Sequence, residues 1–377
     1  MNRDRDSLRA ERAIDEVRCG RPIVVAWGSS LAIYAAVETM AESTLEFMRG
    51  LAGGCWSLIV TPERAAALGL GNMASGAQAV LLDRDVTLAT ITALASFSGI
   101  RTDTSVPRSA PSGSAGDLPD SAVIDLLKSA WLLPAALRLV VGRSRVARVL
   151  DLVAGRVLHQ VSAAALAAFA DGMENCVVQI SEAHVPLADA PDTRLLCFRS
   201  AVGSREHLAM VIGDPSVEAG VPVRLHSACL TGDVFGSLRC DCGDQLRQSV
   251  AALRQLGGGV LLYLAQEGRG IGLANKLRAY ALQDRGHDTI DADLQLGFAP
   301  DERRYAVAAA MLRSMGCRRI RLMTNNPDKI EALAEAGISI VERLSLLAPV
   351  TPQNRRYMDA KRTRARHLLD PPGGGAA

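Results

Sequence analysis

Three cysteines, Cys229, Cys240 and Cys242, fall within one short stretch, RLHSACLTGDVFGSLRCDCGDQL, running from Arg224 to Leu246. Their spacing is C-x10-C-x-C. Three thiolates held together can bind Zn²⁺ and leave its fourth position open, the arrangement of a catalytic rather than a structural zinc. The same residues could serve as small buried hydrophobes, an ordinary use of free cysteine. The spacing alone leaves both readings open. It matches no common zinc finger, and the nearest candidate for a fourth ligand, His226, lies three residues before Cys229. The flanks carry side chains suited to phosphate oxygens: Arg224, His226, Ser227, Thr231, Ser237 and Arg239.

The rest of the chain bounds the setting. Its 377 residues suffice for two domains with real cores. A net charge of +2 gives no broad electrostatic case for nucleic acid or an anionic membrane, so anion binding must be local. The opening MNRDRDSLRAERAIDEV reads as a charged amphipathic helix rather than a signal peptide. The longest apolar run, 130–141, is interrupted by Pro134 and Arg138 and is too short to span a bilayer. Eight cysteines, three of them clustered, suit a reducing compartment and a metal better than a disulfide framework. The expectation is a cytoplasmic protein with neither nucleic-acid nor membrane partners.

Three further motifs lie downstream: QEGRGIGLANKLRAYALQD (266–284), DLQLGFAPDERRYAVAAAMLRSMG (293–316) and RLMTNNPDKIEALAEAGI (321–338). With the cysteine stretch they resemble GTP cyclohydrolase II, the zinc enzyme that opens riboflavin synthesis, over roughly residues 177–370. The resemblance implies zinc on Cys229, Cys240 and Cys242, and a hydrolytic water whose pKa the metal lowers to about 7. It implies hydrolysis of GTP to 2,5-diamino-6-(5-phosphoribosylamino)pyrimidin-4-one, formate and pyrophosphate. The GTP contacts carried over are Arg224, Leu225, His226, Ser227, Gln245, Glu267, Gly268, Arg269, Thr289, Thr324 and Lys329. Asp301, Arg303 and Tyr280 match the residues of the reaction itself. Arg303 would act as a nucleophile on the α-phosphorus or, more readily for a group that is always protonated, as an electrostatic stabiliser oriented by Asp301. Mg²⁺ is expected with the triphosphate, and a homodimer is implied. One departure stands: Ala228 occupies the place where the family usually has Glu. Two other readings remain, a ring-opening enzyme that keeps the formyl group and a GTP-binding sensor without catalysis.

The first half resembles, more weakly, the dihydroxybutanone phosphate synthase domain that precedes GTP cyclohydrolase II in two-function riboflavin enzymes. The likeness lies in AIDEVRCGRPIVV (13–25) and CWSLIVTPERAAALGL (55–70). That synthase needs hard oxygen ligands for Mg²⁺. The corresponding segment here, AWGSSLAIYAAVE (26–38), has one carboxylate, and the half contains a single histidine, His159. A non-catalytic, scaffold-like domain is expected.

The elements that must position these residues read as α/β throughout: a mixed-sheet cyclohydrolase-like domain over 173–370, preceded by a separate α/β domain over 1–172. In the first, helices are expected at 6–18, 43–48, 122–137 and 158–170, strands at 22–27 and 55–60, and a helix start at Thr61-Pro62. The Ser/Pro/Gly-rich stretch 102–120 reads as a flexible loop, and 371–377 as a disordered tail. In the second, strands are expected at 176–180, 195–201, 207–213, 221–227, 260–265, 319–324 and 338–344. A hairpin loop falls at 202–206. Helices are expected over 244–256, over 273–284 burying Leu273, Leu277 and Ala281, and over 302–315 burying Val307, Met311 and Met315. A further helix is capped by Asn326-Pro327.

Overall fold

Apolar strands alternating with capped helices assemble into two mixed β-sheets, one in each of two structural units. The computed structural model describes residues 2–51, 55–70, 76–96, 119–172, 177–200 and 205–346. The expected tail, most of the hairpin loop at 202–206, and all but the last two residues of the expected loop at 102–120 lie outside these. The α/β architecture read from the sequence is present. Among the described residues no helix is long and apolar enough to cross a membrane.

The first unit comprises Met1–Gly172 together with Ala274–Glu302. Its strands are β1 (Ile23–Trp27), β2 (Ser30–Ala36), β3 (Trp56–Val60), β4 (Gln78–Leu82), β5 (Ala135–Val140) and β6 (His159–Ser162), in the sheet order β4-β3-β5-β2-β1-β6. The 26–38 stretch, notable in the sequence for its missing carboxylates, supplies β2. It folds back on β1 from Trp27 to Ser30 across a turn with Gly28 at φ 54°, a conformation glycine adopts without steric cost. Thr61 caps the helix Pro62–Ala67, its side chain accepting from the Arg64 N–H as the Thr-Pro pair foretells.

Two helical expectations fail here. The 122–137 stretch is helical only over Asp120–Ser129 and enters β5 at Ala135. Trp131 takes up φ 61° just past the helix end, and Pro134 disfavours helical backbone at Leu133. The 158–170 stretch starts as β6, in parallel pairing with β1, and turns helical at Ala163, where the Ser162 hydroxyl accepts from the Ala165 N–H. Its alanine-rich composition conceals that cap.

One face of this sheet packs Val24, Ile33, Leu58, Val60, Leu137 and Leu139 into an apolar core. The other carries a polar row. Tyr34, Arg138 and Ser57 are cross-strand neighbours on β2, β5 and β3. Arg138 donates to Ser57 Oγ at 3.2 Å and pairs with buried Asp120, which also accepts from Tyr34 OH at 2.7 Å. Burial pushes the Asp120 carboxyl up from its ordinary value, and Arg138 opposes that rise.

The second unit comprises Met173–Leu273 and Arg303–Ala377. Its strands are β7 (Val177–His184), β8 (Thr193–Ser200), β9 (Glu206–Gly213), β10 (Val221–Ser227), β11 (Gly258–Leu264), β12 (Arg319–Met323) and β13 (Ser339–Leu344), ordered β13-β12-β10-β11-β9-β8-β7. β13, β12, β10 and β11 run parallel, and the remainder is antiparallel. The parallel centre is buried on both faces, by Val223, Leu225, Leu262 and Leu322 on one side and Leu261 and Met323 on the other. Helix Cys242–Gln255 buries Val250 and Leu253. Helix Ala306–Ser314 buries Val307 and Met311 as expected, but begins four residues later than expected and leaves Met315 half-buried.

The helix Leu273–Gln283 turns a different face inward from the one expected. Asn275, Lys276, Ala279 and Leu282 are buried, whereas Leu277 is 52% exposed and Ala281 is exposed. Polar partners, not apolar periodicity, set its orientation: Asn275 Nδ2 donates to Trp131 O at 3.2 Å within the first unit.

The Asp120–Arg138 pair gives a stability test. Arg138→Met leaves a buried carboxylate uncompensated and should cost roughly 3–5 kcal/mol, whereas Arg138→Met with Asp120→Leu should recover most of that loss. Urea unfolding of both variants against the parent chain measures the two costs.

Candidate active site

In open α/β sheets ligands bind beyond the carboxyl ends of parallel strands. In the second unit those ends belong to β10, β11 and β12. β10 carries Arg224, Leu225, His226 and Ser227 and is followed at once by Cys229. β11 runs into the Glu267–Gly270 turn, and β12 into Thr324. The pairings His226 with Tyr263 and Arg224 with Met323 bring these three ends together.

The three cysteines converge. Their sulfurs lie within 4.8 Å of one another, and Cys229 Sγ is 3.7 Å from Cys240 Sγ. That separation is far beyond a disulfide's about 2.05 Å, and all three are free thiols. Two glycines make the approach possible. A Cβ on Gly232 would stand 2.8 Å from Cys240 Sγ and 3.1 Å from Cys229 Sγ. A Cβ on Gly243 would collide with the Gly232 carbonyl oxygen at 2.3 Å. The short helix Leu230–Asp233 and the start of helix Cys242–Gln255 therefore meet backbone to backbone, with the sulfurs beside the contact. The hydrogen bond with Cys229, then that with Cys240 and burial, hold the Cys242 thiol well above its ordinary range, and Cys229 likewise raises Cys240. Such crowding resists stacking up negative charge unless a cation shares it. Three soft donors with this geometry fit zinc.

His226 does not join them. Its Nε2 faces Asp233 Oδ1 at 3.0 Å, and its ring stacks on Tyr263 with centroids 5.5 Å apart. Among the described residues the cluster holds only the three cysteines, which leaves room for a non-protein fourth ligand. Asp233 and Tyr263 are functional candidates the sequence reading missed. The Asp233 side chain is 3% exposed and also accepts from the Cys229 N–H at 2.9 Å and from Tyr263 OH at 2.9 Å. It thereby fixes the backbone at Cys229. Burial pushes the Tyr263 hydroxyl up, and the Asp233 charge adds to this, so it remains a donor. The available signals were an aspartate four residues past Cys229 and a lone hydroxylated aromatic in the apolar run VLLYLA.

Cationic and orphaned groups line the same strand ends. Arg224 donates through Nη2 to Gln245 Oε1 at 2.6 Å and through Nη1 to Met323 O at 3.0 Å. Burial pulls its pKa down to about 10, leaving it charged at neutral pH. Arg224 Nε and Ser227 Oγ are buried without a hydrogen-bond partner, an expense that a polar ligand would offset. Lys329 Nζ donates to Leu225 O at 2.8 Å and sits 5.7 Å from the Tyr305 ring centroid, as does the Arg303 guanidinium. Thr324 Oγ1 accepts from the Asn326 N–H at 3.0 Å. Glu267 accepts from the Leu230 N–H at 2.6 Å and the Gly268 N–H at 3.0 Å, tying the β11 turn to the cysteine loop. Gly268 and Arg269 are both left-handed, at φ 62° and 59°. Held by a non-glycine residue, that conformation costs roughly 1–2 kcal/mol and marks a turn whose shape is imposed.

Tyr280, Thr289 and Asp301 lie in the 274–302 segment, which belongs to the first unit. Lys276 Nζ stands 5.7 Å from the Tyr280 ring centroid. Thr289 opens the helix Thr289–Gln295, capped by the Asp288 side chain, which accepts from the Asp291 N–H at 2.8 Å.

Residues 178–345 match a family model described as GTP cyclohydrolase II. The chain is 41% identical over 368 residues to a GTP cyclohydrolase-2 of Xylella fastidiosa strain Temecula1, covering 97% of this chain and 88% of that protein. It is 39% identical over 381 residues to a GTP cyclohydrolase-2 of Azospirillum brasilense, covering 97% and 95% respectively. A two-domain 3,4-dihydroxy-2-butanone 4-phosphate synthase from A. baumannii aligns over 90% of this chain and 99% of its own, with 16% identity and a TM-score of 0.34, too low to carry an argument.

Gly232→Ala tests the cradle. The new methyl group intrudes on the sulfurs, and Co²⁺ affinity should fall at least about tenfold, which corresponds to about 1.4 kcal/mol. Titration followed by the thiolate-to-cobalt absorption band reads this directly, and unchanged affinity would mean that the three sulfurs do not share one ion.

Proposed function

Taking as premise that the chain belongs to the GTP cyclohydrolase II family, we propose that it catalyses zinc-dependent hydrolysis of GTP. The products are 2,5-diamino-6-(5-phosphoribosylamino)pyrimidin-4-one, formate and pyrophosphate, and the reaction is the first step of riboflavin biosynthesis. The observation that carries this reading is the convergence of three thiols beside a buried arginine at the carboxyl ends of parallel strands. Cys229, Cys240 and Cys242 would hold the zinc, which when bound supplies a water acidic enough to attack at neutral pH.

The chain's own residues divide the remaining work. Arg224, held by Gln245 and the Met323 carbonyl, offers a fixed positive fork to the nucleotide. Lys329 and Arg303 present cationic charge on Tyr305. Arg269 adds another from its constrained turn, where Gly268 lets the backbone approach. Leu225, His226, Ser227, Glu267, Thr289 and Thr324 complete the GTP contacts. Arg303 stabilises charge as pyrophosphate departs and Asp301 orients it. Tyr280 lies near the opened base. Mg²⁺ accompanies the triphosphate, as in other phosphoryl chemistry.

By role the chain divides into 1–172, a non-catalytic synthase-like α/β domain, and 173–370, the cyclohydrolase domain, although its 274–302 segment clusters with the first unit. The enzyme acts in the cytoplasm as a homodimer. Ala228 is the one observation that favours the reading in which the formyl group is retained, because it removes a carboxylate next to the first cysteine.

Metal analysis with mass spectrometry of the GTP product tests the proposal. About one zinc per chain and a product that has lost formate are expected, while a product heavier by the formyl group would establish ring opening alone. Arg303→Ala should lower kcat about 10²–10³-fold, the usual cost of losing one electrostatic stabiliser, with zinc content unchanged.

A further inference from the structure

The 274–302 segment buries Leu282, Ile290, Leu296 and Phe298, and polar anchors fix it within the first unit. Thr61 Oγ1 donates to Gly297 O at 2.8 Å. Lys128 pairs with Glu302 at 2.7 Å, and Arg278 with Glu38 at 2.9 Å. Glu38 also accepts from the Leu133 N–H at 2.7 Å, and Asn275, fully buried, donates to Trp131 O. Trp131, whose carbonyl accepts this bond, has a left-handed backbone at φ 61°.

Arg64 is the centre of this set. It is 4% exposed, and among the described residues its hydrogen bonds go to carbonyl oxygens and not to a carboxylate. Instead Nε donates to Leu94 O at 2.8 Å, Nη2 to Ala93 O at 3.3 Å and Nη1 to Gln295 O at 2.7 Å. These are terminal carbonyls of two helices, Leu88–Ala95 and Thr289–Gln295. Such carbonyls have no partner inside their own helices and carry the negative end of the helix dipole. One guanidinium thus joins the two helix ends, and burial pulls its pKa only to about 10, so the charge persists at neutral pH. The fit is close: a Cβ on Gly297, at φ +84°, would meet Thr61 Oγ1 at 3.0 Å, Arg64 Cβ at 3.2 Å and Pro134 Cγ at 3.2 Å.

We propose that the first unit acts as the holder of the 274–302 segment and that Arg64 and Thr61 are positioning residues for the cyclohydrolase reaction. The proposal rests on the reading above that Tyr280, Thr289 and Asp301, all on this segment, serve GTP. It gives the synthase-like half a task that needs none of the oxygen ligands it lacks.

The test uses the full-length chain. In Arg64→Met, backbone amide exchange over 288–299 should accelerate at least tenfold. KM for GTP should rise at least fivefold, with zinc content unchanged and activity expressed per folded molecule. A purely structural role would lower the active fraction without moving KM. Should Arg64→Met fail to fold, Thr61→Val replaces it, with Thr61→Ser, which keeps the hydroxyl, expected to restore both readouts. Faster exchange with KM and kcat unchanged overturns the positioning role, and unchanged exchange overturns the holder itself. If the unaltered chain releases no formate from GTP, the cyclohydrolase reading and the positioning role fail together, while exchange in the same variants still decides whether the segment is held.

Discussion

Three thiols brought within 4.8 Å of one another form an arrangement in which each ionisation makes the next harder. Much of the second unit can be understood as the means of keeping them there. Gly232 and Gly243 remove the side chains that would push them apart. Asp233 gathers His226, Tyr263 and the Cys229 amide around a single buried carboxylate. Glu267 ties the neighbouring strand end to the same loop. The apolar parallel centre of the sheet, buried on both faces, supplies the rigid base.

The two sheets use buried charge differently. In the second unit Arg224 is buried with one nitrogen left without a partner, a state suited to receiving a ligand. In the first unit Arg64 spends its donors on helix carbonyls and Arg138 is paired with Asp120. Buried guanidinium groups there serve architecture.

Much of this was legible in the sequence. The strands β10, β11 and β12, the caps at Thr61 and Asn326, and the cysteine triad all follow from local pattern. What escaped has physical causes. The hairpin of β1 and β2 hides in a stretch of small apolar residues with no alternation to announce it. Helix and strand share one alanine- and leucine-rich run around Trp131 and Pro134, where periodicity cannot separate them. The helix Leu273–Gln283 buries Asn275 and Lys276 and exposes Leu277, a choice made by distant hydrogen-bond partners that no window of sequence contains. Asp233 was missed for the same reason: its importance lies in which three donors it meets.

The discontinuity of the first unit bears on how the chain matures. Its opening 172 residues emerge from the ribosome well before the stretch at 274–302 that completes them. At 5–20 residues per second the interval is on the order of ten seconds. Throughout it, the Arg64 guanidinium faces only one of its two helix ends, and the seat for Gly297 stays bare. The nascent domain must therefore wait, half assembled, while the next sheet is being translated.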